Sequence, residues 1–250
     1  MKLPKIATPT YELTLPSNGT KIKYRPFLVP EEKLFLLTVE GLSKDPADES
    51  KNKRSILQTM QNVIDNCIIS PEINSGKLPI FDLMYIFVQL RARSISDKLD
   101  LYFDGKKDSA CEECKKQKHV QVDLTQIQIK KNEKHTNKIQ ITKEVGLVLK
   151  YPSFDLYAQI ETRDKLSDIE DDLIIGCIES IYDSTNIYDA KDCSREELIE
   201  WLNQLNKKQL SAVNQFFETM PRMYHKVEIK CDKCGAVRYY EMENIEDFFE

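Results

Sequence analysis

At 250 residues, 41% hydrophobic and 31% charged, the chain is long enough to bury a sizeable core as one large domain or two small ones. Its formal net charge of −5 argues against a general nucleic-acid binder, whose affinity comes from an excess of Lys and Arg facing phosphates. No apolar run approaches the length of a bilayer span, and the opening "MKLPKIATPTYELTLPSNG" has the apolar core of neither a signal peptide nor a membrane anchor.

In chain order, "YELTLPSNGTKIKYRPF" alternates polar and apolar residues around Asn18-Gly19, a dipeptide that tolerates positive φ, so region 1–29 is expected to be a β-hairpin. Pro30 followed by Glu31 and Glu32 suits the first turn of a helix, and Leu34, Phe35, Leu37 and Leu42 supply its apolar run. Helices are expected at about 30–43, 54–68 and 79–95, the last starting at Pro79, and together they form a first helical region over 30–97. Region 98–152 changes to a period of two, with "KLDLYF" and "KHVQVDL" as a hairpin and "KIQIT" and "GLVLKYP" as further strands.

A second helical region, 153–221, is marked by two capping boxes, Ser167 with Glu170 and Ser194 with Glu197. Its helices are expected at about 167–182 and 194–220, the second breaking near Asn206 and ending before Pro221. Region 222–250 closes the chain with a hairpin and a short tail. The fold class read from this order is α+β: two helical layers with short β-hairpins in one compact unit.

Of seven cysteines, Cys67, Cys177 and Cys193 stand alone, which fits a reducing compartment better than a disulfide framework. Cys67 and Cys177 sit in apolar helical patterns and read as core; Cys193 is in a polar stretch. The other four form two C-x-x-C pairs, Cys111 with Cys114 and Cys231 with Cys234, each at the turn of an expected hairpin. Two pairs of identical spacing can supply the four thiolates of one closed, structural zinc-ribbon-like site. The open alternatives are two separate or disulfide-forming pairs, and a vestigial site without metal. His119 and His225 flank the two turns as possible substitute ligands, and His135 falls in a polar loop. Neither a nucleotide-binding nor a hydrolytic motif is present, so no catalytic residue is nominated. The acidic Asp168, Glu170, Asp171 and Asp172 read as dipole-compensating residues of a helix start rather than a magnesium site.

Four stretches carry a resemblance: "PKIATPTYELTLPSNGTKIKYRPFLVPEEKLFLL", "FVQLRARSISDKLDLYF", "LVLKYPSFD" and "NIEDFF". With them the chain resembles the baseplate hub and hub-assembly proteins of T-even-type contractile-tailed bacteriophages, over essentially its whole length. The resemblance implies a non-enzymatic virus-encoded protein that works in the host cytoplasm during assembly of the tail, as a hub subunit or an assembly factor. Its implied partners are other baseplate hub and tail proteins, including the tape-measure protein, with no membrane. Aromatic and apolar residues near the two ends, Tyr24, Phe27, Ile245, Phe248 and Phe249, are the candidate contact residues. The rival reading is a zinc-ribbon nucleic-acid accessory protein. Both cysteine segments are locally basic, and Tyr239 and Tyr240 offer stacking surfaces.

Overall fold

The computed structural model describes residues 4, 6–45, 48–70, 73–103, 118–160, 166–232 and 235–243, without the side chains of 49 and 166–168. The expected first hairpin is there, with β1 (Tyr11–Thr14) antiparallel to β2 (Lys21–Tyr24). Gly19 lies at φ 74°, and the Asn18 side chain accepts from the Thr20 N–H at 2.9 Å. Helix α1 (Val29–Glu40) follows, then α2 (Glu49–Cys67) and α3 (Ile80–Ser94). Strands β3 (Lys98–Phe103) and β4 (Lys118–Asp123) form a second hairpin, and β5 (Gln128–Lys130) follows it. Next come β6 (Lys138–Gln140), β7 (Gly146–Leu149), α4 (Phe154–Ile160) and α5 (Leu166–Cys177). The chain continues through β8 (Ile178–Tyr182), β9 (Ile187–Asp189), α6 (Arg195–Leu202) and α7 (Lys207–Thr219). It closes on the third hairpin, β10 (Arg222–Lys230) with β11 (Val237–Met242).

The class is α+β, with seven helices and small antiparallel sheets among the described residues. The arrangement differs from two helical layers. Helix α3 is apolar nearly all round and therefore buried on more than one face. With Leu83, Ile86, Phe87 and Leu90 it meets α2 and the first hairpin, whose Leu15, Ile22 and Tyr24 complete that core. With Val88 and Ala92 it meets β3, β4 and β10 in a second core. A third core lies between α5, α6, α7 and the four-stranded sheet β6-β7-β8-β9.

The expected helix over 167–182 stops at Cys177, and its remainder is strand β8. Ile178 and Ile181 were in phase with a helix, but β8 pairs with β7 on one side and β9 on the other, which satisfies its backbone in the ladder. Strand β5, which pairs with β10 and joins the middle of the chain to its end, and the seven-residue α4 were not expected at all.

Local chemistry accounts for the element ends that were legible. Ser194 and Glu197 form the expected capping box of α6, and Asn206 accepts from the N–H groups of Lys208 and Gln209 to start α7. The side chain of Ser167 lies outside the described residues.

Candidate functional site

The second and third hairpins pack together where Phe103 and Lys118 meet Tyr240 and Asp232. Along β10 the residues Met223, Val227 and Ile229 face inward, and Cys231, two beyond Ile229, keeps that phase and is only 8% exposed. Leu99, Leu101 and Phe103 of β3 fill the same core. The Phe103 ring meets Tyr240 of β11 edge-on, with centroids 5.2 Å apart. Phe103 is paired across the ladder with Lys118, whose ammonium contacts both carboxylate oxygens of Asp232 at 2.7 Å. Exposed pairs of this kind contribute little energy. Their value here is positional: Cys111 and Cys114 belong to the segment between Phe103 and Lys118, while Asp232 follows Cys231 directly.

The turn after β10 is built for a tight reversal. Gly235, at φ 73°, donates its N–H to the Cys231 carbonyl at 3.0 Å, and the Cys231 N–H donates to Ala236 O at 2.8 Å. A left-handed residue is required there, and glycine takes it without steric cost. Cys111, Cys114 and Cys234 lie outside the described residues, which by themselves contain no group of three or more His, Cys, Asp or Glu side chains able to hold a metal.

His225 is six residues from Cys231 along one strand, about 20 Å at strand rise, too far to join a site with it. His119 is bonded through Nε2 to Asp100 at 2.6 Å and stacked on Tyr102. His135, which the sequence left in a polar loop, stacks on Tyr151 and lies tilted against Phe216 while Nδ1 meets Thr219 Oγ1 at 3.0 Å. Burial holds its imidazole, and that of His225, below the usual histidine range.

Cys67 and Cys177 are core residues, their thiols pushed up by burial to about 11 and about 12, which makes them poor nucleophiles. Of the acidic cluster, Asp172 is ion-paired with Arg195.

Tyr24 and Phe27 are turned inward. Tyr24 is 3% exposed and packs on Tyr11, while the Phe27 ring lies 5.5 Å from Phe87. Ile245, Phe248 and Phe249 lie outside the described residues.

A run of exposed apolar residues lies instead on α1. Phe35 packs inward on Phe87, whereas Val29, Leu36 and Leu37, the last 66% exposed, lie on the outer face. Val29 and Leu36 are seven residues apart and so share one face of the helix. Leu34 and Leu37, counted in the apolar run of this helix from the sequence, are both exposed. The signal was in "LFLLTV", which is apolar on every side rather than on one stripe.

Two cores share α3 and the third lies against the β6–β9 sheet, so that together they extend from the first hairpin to the last strand. The T4 bacteriophage base plate protein family matches residues 8–250. The chain belongs to that family. The baseplate hub assembly protein gp26 of Enterobacteria phage T4 is 26% identical over 78 residues, 31% of this chain and 37% of that relative, so the chain matches only about a third of the relative's length. No solved structure matches. Among the described residues of this baseplate protein no helix is long and apolar enough to cross a membrane.

Proposed function

We propose that the chain is a baseplate hub subunit or hub assembly factor that acts through protein contacts, without turning over a substrate. The family match over residues 8–250 carries this reading, and the partial likeness to a hub assembly protein narrows it to the hub. The exposed α1 face with Val29, Leu36 and Leu37 supports it, because contiguous apolar surface rimmed by polar residues marks protein interaction sites. Its partners are then other tail and hub proteins, with the tape-measure protein among them. Its place is the host cytoplasm during assembly and the tail baseplate if it stays in the particle. Affinity capture from infected cells tests it. Recovery of tail proteins by the wild type, and their loss with Leu36→Glu plus Leu37→Glu in a still-folded protein, is the expected result. Salt-sensitive recovery of nucleic acid without tail proteins would favour a zinc-ribbon nucleic-acid role instead.

One structural zinc ion, held by Cys111, Cys114, Cys231 and Cys234, is part of the proposal. The residues present fit it: Cys231 is buried in phase with its strand, Gly235 makes the tight turn, and the Lys118–Asp232 contact brings the flank of one pair to the other. Zinc in closed four-thiolate coordination supplies cross-linking rather than catalysis. Elemental analysis is the test, with one zinc per chain expected.

A further inference from the structure

A cavity of about 320 Å³, with Cys193 in its lining, lies between the β8–β9 hairpin and α6. Tyr182, Tyr188 and Trp201 give it aromatic walls, Leu198 adds an apolar surface, and the carboxylates of Asp183 and Glu197 are the charged groups that line it. No Lys or Arg is among the described residues lining it. Lys138 holds its ammonium 4.8 Å above the Tyr182 ring, but it comes from β6 and is not part of the lining.

Both carboxylates are fixed in place and in charge. Asp183 Oδ1 accepts from the N–H groups of Thr185 and Asn186 and from the Thr185 hydroxyl, and Oδ2 accepts from Tyr188 at 3.0 Å. These bonds, the backbone ones first, hold its carboxyl down at about 2. Glu197 spends Oε2 on the Ser194 N–H at 2.7 Å. The size is at the low end for ligand pockets, which run from about 300 to 1,000 Å³, so it suits a single side chain better than a whole cofactor. Aromatic walls with anionic groups and no cation favour a planar cation, since guanidinium stacks on rings and pairs with carboxylates in the same pose.

We propose that this cavity is a docking pocket for one arginine side chain presented by a partner protein, recognised by the Trp201 and Tyr188 rings and by Glu197 and Asp183. That the arginine comes from a protein rests on the baseplate reading above; the cation chemistry does not.

Trp201 is the chain's one tryptophan, so its emission reports on the cavity directly. Titration of the full chain with Nα-acetyl-arginine amide is expected to give a saturable change with a midpoint on the order of 1 mM, as befits one isolated side chain. The neutral isostere Nα-acetyl-citrulline amide should give none. Glu197→Gln keeps an oxygen for the Ser194 N–H, so the capping box survives while the charge is lost, and it should weaken the response about tenfold. Tyr188→Leu, at a half-exposed position, should weaken it as well.

A flat titration, or an equal response to citrulline, overturns the proposal. So does normal baseplate assembly by phage carrying Glu197→Gln when the purified variant has lost arginine binding. That outcome leaves the baseplate role standing, which fails separately if phage lacking the whole chain still build baseplates.

Discussion

The first and third hairpins solve the same local problem and are held in different ways. Each turns on a glycine in the left-handed region, Gly19 at φ 74° and Gly235 at φ 73°, and each alternates apolar and polar residues along its strands. The first is clamped from outside. Asp82, a fully buried carboxylate on α3, accepts from the Ser17 N–H at 3.1 Å and from the Ser17 hydroxyl, while the Arg25 N–H and Ile69 N–H tie β2 to the end of α2. At the third hairpin, what meets the turn among the described residues is the Lys118–Asp232 pair, beside the buried Cys231. A hairpin isolated in water is marginal, so each needs a fastener: hydrogen bonds to a helix at one end of the chain and, in our proposal, a metal at the other.

The largest expected effect breaks that contrast at the metal. Cys231→Ser should cost about 4 kcal/mol or more, because losing a structural ligand forfeits folding free energy. A buried Cys→Ser change costs something even without zinc, so the deciding arm is the wild type with a strong chelator. Its melting temperature should fall, and hydrogen exchange should quicken in β10–β11 while β1–β2 is unchanged. A zinc-free protein that melts at the same temperature would mean that the third hairpin stands on its packing alone.

Asp82→Ala attacks the other fastener and should cost about 2 to 3 kcal/mol, the upper part of the range for a hydrogen bond to a charged group, here from the half-buried Ser17. Here exchange should quicken in β1–β2 and spare β10–β11. Asp82→Asn should be milder, since its amide oxygen still accepts from the Ser17 N–H. Chemical denaturation of both variants checks the order.

How much of this contrast could be read beforehand depends on whether the fastener is local. Asn18-Gly19, Pro30, the Ser194–Glu197 box and the break at Asn206 were legible because each acts within four residues of itself. Asp82 was not, since its partner Ser17 is 65 residues away and an aspartate in the first turn of a helix is ordinary without it. Nor was the switch from α5 to β8, because Ile174, Cys177, Ile178 and Ile181 satisfy a helical period and only the pairing with β7 and β9 chooses the strand.

The four-cysteine pattern was legible as spacing. What the sequence could not supply was the Lys118–Asp232 contact, which comes from tertiary packing of two hairpins. The pocket at Trp201 needs three elements that meet only in the folded chain.

Replacing the two glycines compares the turns directly. An added Cβ at Gly19 or Gly235 meets nothing within 4 Å, so each substitution by Ala charges only the cost of a left-handed backbone, about 1 to 2 kcal/mol. Gly19→Ala should show that cost and nothing else. Gly235→Ala should show it together with weaker zinc retention against a chelator, because the strained turn is also the one that carries Cys231 and Cys234. Equal costs and equal metal content would make the second glycine a turn residue only.

The smallest effect separates the hairpins by pH. His225 on β10 is held below the usual histidine range by burial, with Asp123 opposing that shift, and the strands of the first hairpin contain no histidine. Between its lowered value and the ordinary value near 6.5, the unfolded chain binds more protons than the folded one at this site. Stability therefore rises with pH across that window and is lost as pH falls through it. Acidification from about pH 7 to pH 5 should lower the protection of the β10–β11 amides relative to their intrinsic exchange rates and leave that of β1–β2 unchanged. Protonation of zinc-bound thiolates would loosen the same strands, so the discriminating measurement is the His225→Phe variant: retention of the full pH response there assigns it to the cysteines, and its reduction assigns the difference to the imidazole.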